Sequence, residues 1–227
     1  MGADWSDSLG FYGGTSVSES TYIGSIDDYQ QVTTAAGARI TLGDWWGSLG
    51  FAWVAASHDS VDGTRVFLAS VGTRQGMWGG ALSASASVYP EARVLQLDPG
   101  VQVHPFEWLS LGLGPSFTLV RDDLYQDGGT ELLAALRAGA TVSLSDHLTV
   151  SLSGFFGRER YRVEASGLSV WTGSERYTGG YGLACTATPL PHLTIALGFE
   201  HRFADEQYGW DSDFQSLGGT LSVQVTF

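Results

Sequence analysis

The chain of 227 residues contains no lysine and no asparagine, and all 11 of its basic residues are arginine, against 24 acidic ones. The formal net charge of −13 disfavours nucleic-acid binding, because neutralising phosphates needs a basic surface. Only one cysteine is present, Cys185, so no internal disulfide can form and no zinc-ligand spacing exists. Mean hydropathy is +0.02, yet no stretch approaches the roughly 18 uninterrupted apolar residues of a spanning helix. That argues against a helical membrane protein. Charged residues are scarce at 15%, whereas 31 glycines and 12% aromatics are many, a mixture unusual for a soluble domain.

What the chain does contain is alternation. In Leu217 to Phe227, Leu217, Leu221, Val223, Val225 and Phe227 fall on one face of a strand, and Gly218, Thr220, Ser222, Gln224 and Thr226 on the other. The same period of two recurs in segments of about ten residues, the length a tilted strand needs to cross a bilayer. Alternation and turn residues predict twelve strands near 8–18, 30–42, 46–57, 65–73, 77–88, 93–104, 109–120, 131–144, 148–163, 176–188, 193–203 and 217–227. The fourth and fifth carry the weakest signal, and without them ten would remain. Short connections alternate with longer acidic ones, and the pattern gives one domain over 1–227 after a short segment 1–7.

The end of the chain resembles the carboxy-terminal assembly signal of bacterial outer-membrane β-barrels. Thr220, Val223, Val225 and the final Phe227 carry the match, while Ser222 stands where that family often has glycine. The resemblance implies an all-β, antiparallel up-and-down barrel in the outer membrane, inserted by the barrel assembly machinery. Its short turns would lie on the periplasmic side and its long loops outside. It also implies export, although Met1-Gly2-Ala3-Asp4 lacks the basic and apolar regions of a secretory signal. The expectation is that a signal peptide has been removed. Trp45, Trp46, Trp78, Phe106, Trp108 and Phe227 are expected to form a periplasmic girdle, with Trp53, Tyr89, Tyr177, Phe203 and Tyr208 toward the other side.

Phase then sorts the charges. Arg39, Arg137, Asp98, Glu200, Gln96, Gln102 and His104, with Arg176 and Arg202, read as inward among Gly, Ala, Ser and Thr. These are the candidate selectivity residues of a lumen. Arg65, Arg93, Arg121, Arg158, Arg160 and Arg162 read as outward near the outer-leaflet rim. There forked guanidinium hydrogen bonds would match lipopolysaccharide phosphates. The alternative for these arginines is that the phase slips above the membrane and they pair with loop carboxylates. Asp122-Asp123-Leu124-Tyr125-Gln126-Asp127-Gly128 offers oxygen ligands but not calcium-loop spacing. No metal or cofactor is therefore expected. Ser57-His58-Asp59-Ser60 resembles the His-x-Ser arrangement of lipid A deacylase barrels, without an identifiable third residue.

Three functions follow. The preferred one is a channel for passive diffusion of small polar solutes; the next is a scaffold that docks or encloses a partner protein; the third is a lipid A or phospholipid hydrolase.

Overall fold

A computed structural model describes residues 8–23, 29–59, 61–122, 129–163, 177–204 and 215–227. All twelve expected strands form: β1 (Ser8–Ile23), β2 (Tyr29–Leu42), β3 (Trp45–Ala56), β4 (Arg65–Gln75), β5 (Trp78–Val88), β6 (Ala92–Phe106), β7 (Leu109–Asp122), β8 (Thr130–Ser145), β9 (Leu148–Glu159), β10 (Tyr177–Leu190), β11 (Leu193–Ala204) and β12 (Gln215–Thr226). Each pairs antiparallel with its neighbours in sequence, and β1 pairs with β12 to close the barrel. Closure leaves no sheet edge, so the backbone hydrogen bonds are satisfied within the wall. Phe227 secures the seam: its N–H donates to the Phe11 carbonyl at 2.8 Å, and the Phe11 N–H donates back at 3.2 Å.

Five two-residue turns, at 43–44, 76–77, 107–108, 146–147 and 191–192, lie at the end of the barrel that holds Phe227. Gly43 and Gly76 supply the positive φ (+57° and +60°) that a tight hairpin needs at its first turn position. The hairpin after β4 therefore turns at Gly76-Met77 rather than within 73–76, which extends β4 by two residues to Gln75.

Alternation separates two surfaces. Leu49, Phe51, Phe67, Leu95, Leu113, Phe117, Leu132 and Leu197 are exposed on the outside, an apolar belt that is stable only with lipid as solvent. Trp45, Trp78, Phe106, Trp108 and Phe227 are exposed at the short-turn end, with Trp53 and Phe203 exposed toward the other. Phe106 and Trp108 stack at 5.2 Å. Three girdle assignments are corrected. Trp46 faces the lumen, its indole seated over Gly72, where an added Cβ would come within 2.6 Å of the ring. Tyr89 and Tyr177 are buried inside. Tyr208 lies outside the described residues.

Candidate functional site in the lumen

The inner wall divides by height. Toward the long-loop end, inward residues from many strands are buried, among them Ser16, Thr33, Ala35, Val54, Val66, Ser87, Thr118, Leu133 and Ser216. Part of what covers them is the chain itself. β9 carries its outward phase through Leu152 and Phe156 to Arg158, which is exposed. At Gly157 φ is +121°, a conformation that L side chains rarely adopt. A Cβ there would lie 2.6 Å from the Ala134 carbonyl oxygen. The strand ends at Glu159, and residues 159–163 turn into the barrel as an internal strap.

This corrects the outward assignment of two arginines. Arg160 is 4% exposed and Arg162 is 9% exposed, both inside. Arg162 donates to both Asp98 carboxylate oxygens at 2.9 and 3.0 Å and to Ser116 Oγ at 3.0 Å. Arg160 lies 3.7 Å from Glu131 and over the Tyr161 ring. Period two alone carried these residues outward; the strand ends first, at Glu159, and Tyr161 takes a left-handed backbone at φ +54°. The neighbouring residues complete the anchorage. Gln96 clamps the strap as a strand partner would, its Nε2 donating to the Val163 carbonyl at 2.9 Å while the Val163 N–H donates to its Oε1 at 3.0 Å. Gln96 also donates to Asp98. Val163 packs with Val54, Val61, Val66 and Leu68, and Tyr161 meets Tyr89 at 4.6 Å.

On the opposite side of the strap Glu159, 2% exposed, accepts from Arg137 Nη1. Glu200 takes Arg202 through Nε at 2.8 Å and Nη2 at 2.7 Å. Phe155 projects inward beneath both cations, 5.3 Å from Arg137 and 5.6 Å from Arg202, so each guanidinium has an aromatic face as well as a carboxylate. Every described inward arginine at this height is thus paired. Arg176 lies outside the described residues.

Toward the short-turn end the lumen opens. Its inward residues are small, including Ser48, Ser70, Gly79, Gly112, Gly139, Thr141 and Ser151, interrupted by Arg39, Trp46, Arg74, Gln102 and His104. Arg39 rests over Trp46 at 4.8 Å. The predicted lumen set is therefore split, with Gln96, Asp98, Arg137 and Glu200 at the strap and Arg39, Gln102 and His104 in the vestibule. Glu159, Phe155, Trp46 and Arg74 escaped sequence reasoning as lumen residues. The aromatics were the available signal, since adjacent residues such as Trp45 and Trp46 must face opposite sides of a strand.

Outside, Arg65, Arg93 and Arg121 form a row: Arg65 is opposite Val88, Val88 opposite Arg93, and Arg93 opposite Arg121. Arg93 donates to the Tyr89 and Ala92 carbonyls. Arg158 is on the same outer face. A second polar group on the lipid side links Tyr181, His201 and Gln215, with His201 Nδ1 2.9 Å from the Tyr181 hydroxyl and Nε2 2.8 Å from Gln215 Oε1. The Ser57 hydroxyl accepts the Gln30 N–H at 3.1 Å, and the His58 carbonyl accepts from Val61 and Asp62 in a turn. Ser60 lies outside the described residues, as do residues 123–128 of the acidic run. Among the described residues no cluster of three potential metal ligands occurs.

A barrel closed at β1 and β12, with an apolar outside and a small-residue inside, decides the architecture. The chain has the outer-membrane β-barrel fold. Solved barrels resemble it over nearly their whole length. The translocator domain of autotransporter NalP from Neisseria meningitidis matches with TM-score 0.56 at 15% identity, covering 99% of this chain and 90% of that one. The NanC porin matches with TM-score 0.62 at 8% identity, covering 93% and 98%. The KdgM porin, solved in complex with disordered oligogalacturonate, matches with TM-score 0.58 at 6% identity, covering 94% and 99%. No family model and no curated protein sequence matches the chain. The barrel is of the multi-pass outer-membrane type, in which the short turns face the periplasm and the longer loops the exterior.

Proposed function

We propose that this barrel is an outer-membrane channel for small polar solutes whose constriction is the strap 159–163. The observation that carries the proposal is the contrast in how the lumen is occupied. A broad vestibule lined by Gly, Ser and Thr meets a short segment that is tied down by side chains, Gln96, Asp98 and Ser116, instead of by a strand ladder. A barrel that serves only as an anchor has no use for an open half, and small sealed barrels fill the interior with side chains. The porins among the similar structures share this fold, which supports a channel. The test is conductance in planar bilayers of the wild type and of Gln96→Leu combined with Arg162→Ser, which releases the strap. The wild type should give a small open current and the variant a larger one. Silence from both would overturn the channel.

A scaffold that encloses a partner protein is favoured by one observation, the small inward residues of the short-turn half, which leave room for a guest. A co-purifying protein together with silent bilayers would select it. The outer arginine row, Arg65, Arg93, Arg121 and Arg158, belongs to the same proposal as the contact with lipopolysaccharide phosphate. Cationic side chains at the rim cost little there and match the anions of the outer leaflet.

A further inference from the structure

The inward cations are not treated alike. Among the described residues, Arg137, Arg160, Arg162 and Arg202 each face a carboxylate, from Glu159, Glu131, Asp98 and Glu200 respectively. Arg39 and Arg74 also point into the lumen, and among the described residues neither is ion-paired. They lie in the vestibule at its periplasmic end, on β2 and β4, with β3 between them. In a chain of net charge −13, leaving two cations unmatched in one concave space is a local choice. The described loop carboxylates Asp59, Asp62 and Glu91 lie at the other end of the barrel, and the carboxylates at this end, Asp44, Glu107 and Asp146, stand on exposed turns where solvent and salt screen them.

The strand between the two arginines supplies a flat surface. Trp46 on β3 lies over Gly72 of β4, and Arg39 sits on its ring at 4.8 Å. The stack orients the planar guanidinium and leaves its edge donors free for a forked contact. Arg74 is the next inward residue of β4 after Gly72, about 7 Å along the strand. Gln102 on β6 stands in the same row as Arg74, across Gly79 of β5, and His104 is the next inward residue of β6. The arc therefore presents two forked cations, an imidazole, an amide and an exposed aromatic edge, bordered by Ser48, Ser70 and Gly79. Among the described inward residues of this half no carboxylate competes for it.

We infer that Arg39, Trp46, Arg74, Gln102 and His104 form an anion-binding site at the inner mouth of the barrel, suited to a sugar acid. A carboxylate takes the guanidinium forks, and the apolar C–H groups of the pyranose ring pack on the exposed edge of the indole, whose faces are covered by Gly72 and Arg39. A bare anion would use the cations without the ring, and a neutral sugar the ring without the cations. The site deepens the channel proposal by naming a solute class, and binding to it does not require conduction.

The test is calorimetric titration of the refolded full-length protein in a polyoxyethylene detergent at low salt, with glucuronate, glucose and inorganic phosphate as probes. Glucuronate should bind, glucose should bind at least about tenfold more weakly, and raising salt should weaken glucuronate, as for any screened charge pair. Arg39→Ser with Arg74→Ser should abolish binding, Arg74→Lys, which keeps the charge and loses the fork, should weaken it severalfold, and Trp46→Leu should weaken glucuronate more than phosphate, because it removes the ring contact as well as the support of Arg39. Heat-modifiable gel mobility confirms that each variant is folded. Glucuronate that binds the double variant as it binds the wild type, or fails to bind the wild type, overturns the site. Phosphate or glucose matching glucuronate overturns the sugar-acid assignment. Binding in a protein that never conducts would sink the channel and leave the site, whereas conduction without binding would do the reverse.

Discussion

In the extracellular half of the lumen four described arginines sit against four carboxylates, whereas in the periplasmic half Arg39 and Arg74 face a tryptophan and open space. The same wall and the same strands carry both arrangements. The difference is depth of burial. Where the strap excludes solvent, an unmatched charge would be costly, so each cation is matched and several are also stacked on rings. Where the lumen is open, water solvates the guanidinium, and a cation can stay unpaired until a ligand arrives. The upper charges hold the structure together, and the lower ones remain available.

Breaking a pair in the closed half should have the largest effect. Glu159→Gln removes the carboxylate that Arg137 donates to, at a position 2% exposed, and leaves a partly buried guanidinium uncompensated. A loss of about 3 kcal/mol is expected, read as a lower midpoint in urea unfolding from liposomes. A midpoint equal to that of the wild type would mean that the pair is solvated and that the halves do not differ. Next in size is the strained glycine of β9 that lies just before the strap. Gly157→Ala forces a Cβ onto a backbone at φ +121° and against the Ala134 carbonyl, which should cost about 1–3 kcal/mol. Trypsin should then cut after Arg160 or Arg162, sites the folded strap protects. Unchanged protection would place the hinge elsewhere.

Legibility in the sequence followed the same division. The twelve strands, the closure at Phe227 and the inward phase of Arg39, Gln102, His104 and Arg137 could be read because a closed sheet in lipid enforces period two along every strand. The strap could not. Arg158, Arg160 and Arg162 keep the spacing of a strand, and what removes the last two from the wall is the end of β9 at Glu159 and the left-handed backbone at Tyr161, which side-chain pattern does not encode. Tyr89 and Tyr177 were drawn to the girdle by composition, yet both are enclosed beside strap residues: Tyr89 against Tyr161, and Tyr177 opposite Glu159. The pairing of cations by height was invisible for the same reason, since Asp98 meets Arg162 across 64 residues of sequence.

The smallest expected effect lies outside the lumen, and its sign separates lipid contact from structural support. Arg93 and Arg121 are directly opposite on β6 and β7, and like charges at such positions oppose each other by roughly 0.2–1 kcal/mol. Replacing Arg65, Arg93 and Arg121 by Ser should therefore leave stability in detergent unchanged or raise it slightly. In lipopolysaccharide-containing membranes the anions that bridge the row would be lost, and co-purifying lipid A phosphate should fall. A fall in detergent stability instead would assign the arginines to the protein wall. Lipid content equal to that of the wild type would remove the lipopolysaccharide role and leave the two halves of the lumen as the places where this chain uses its arginines.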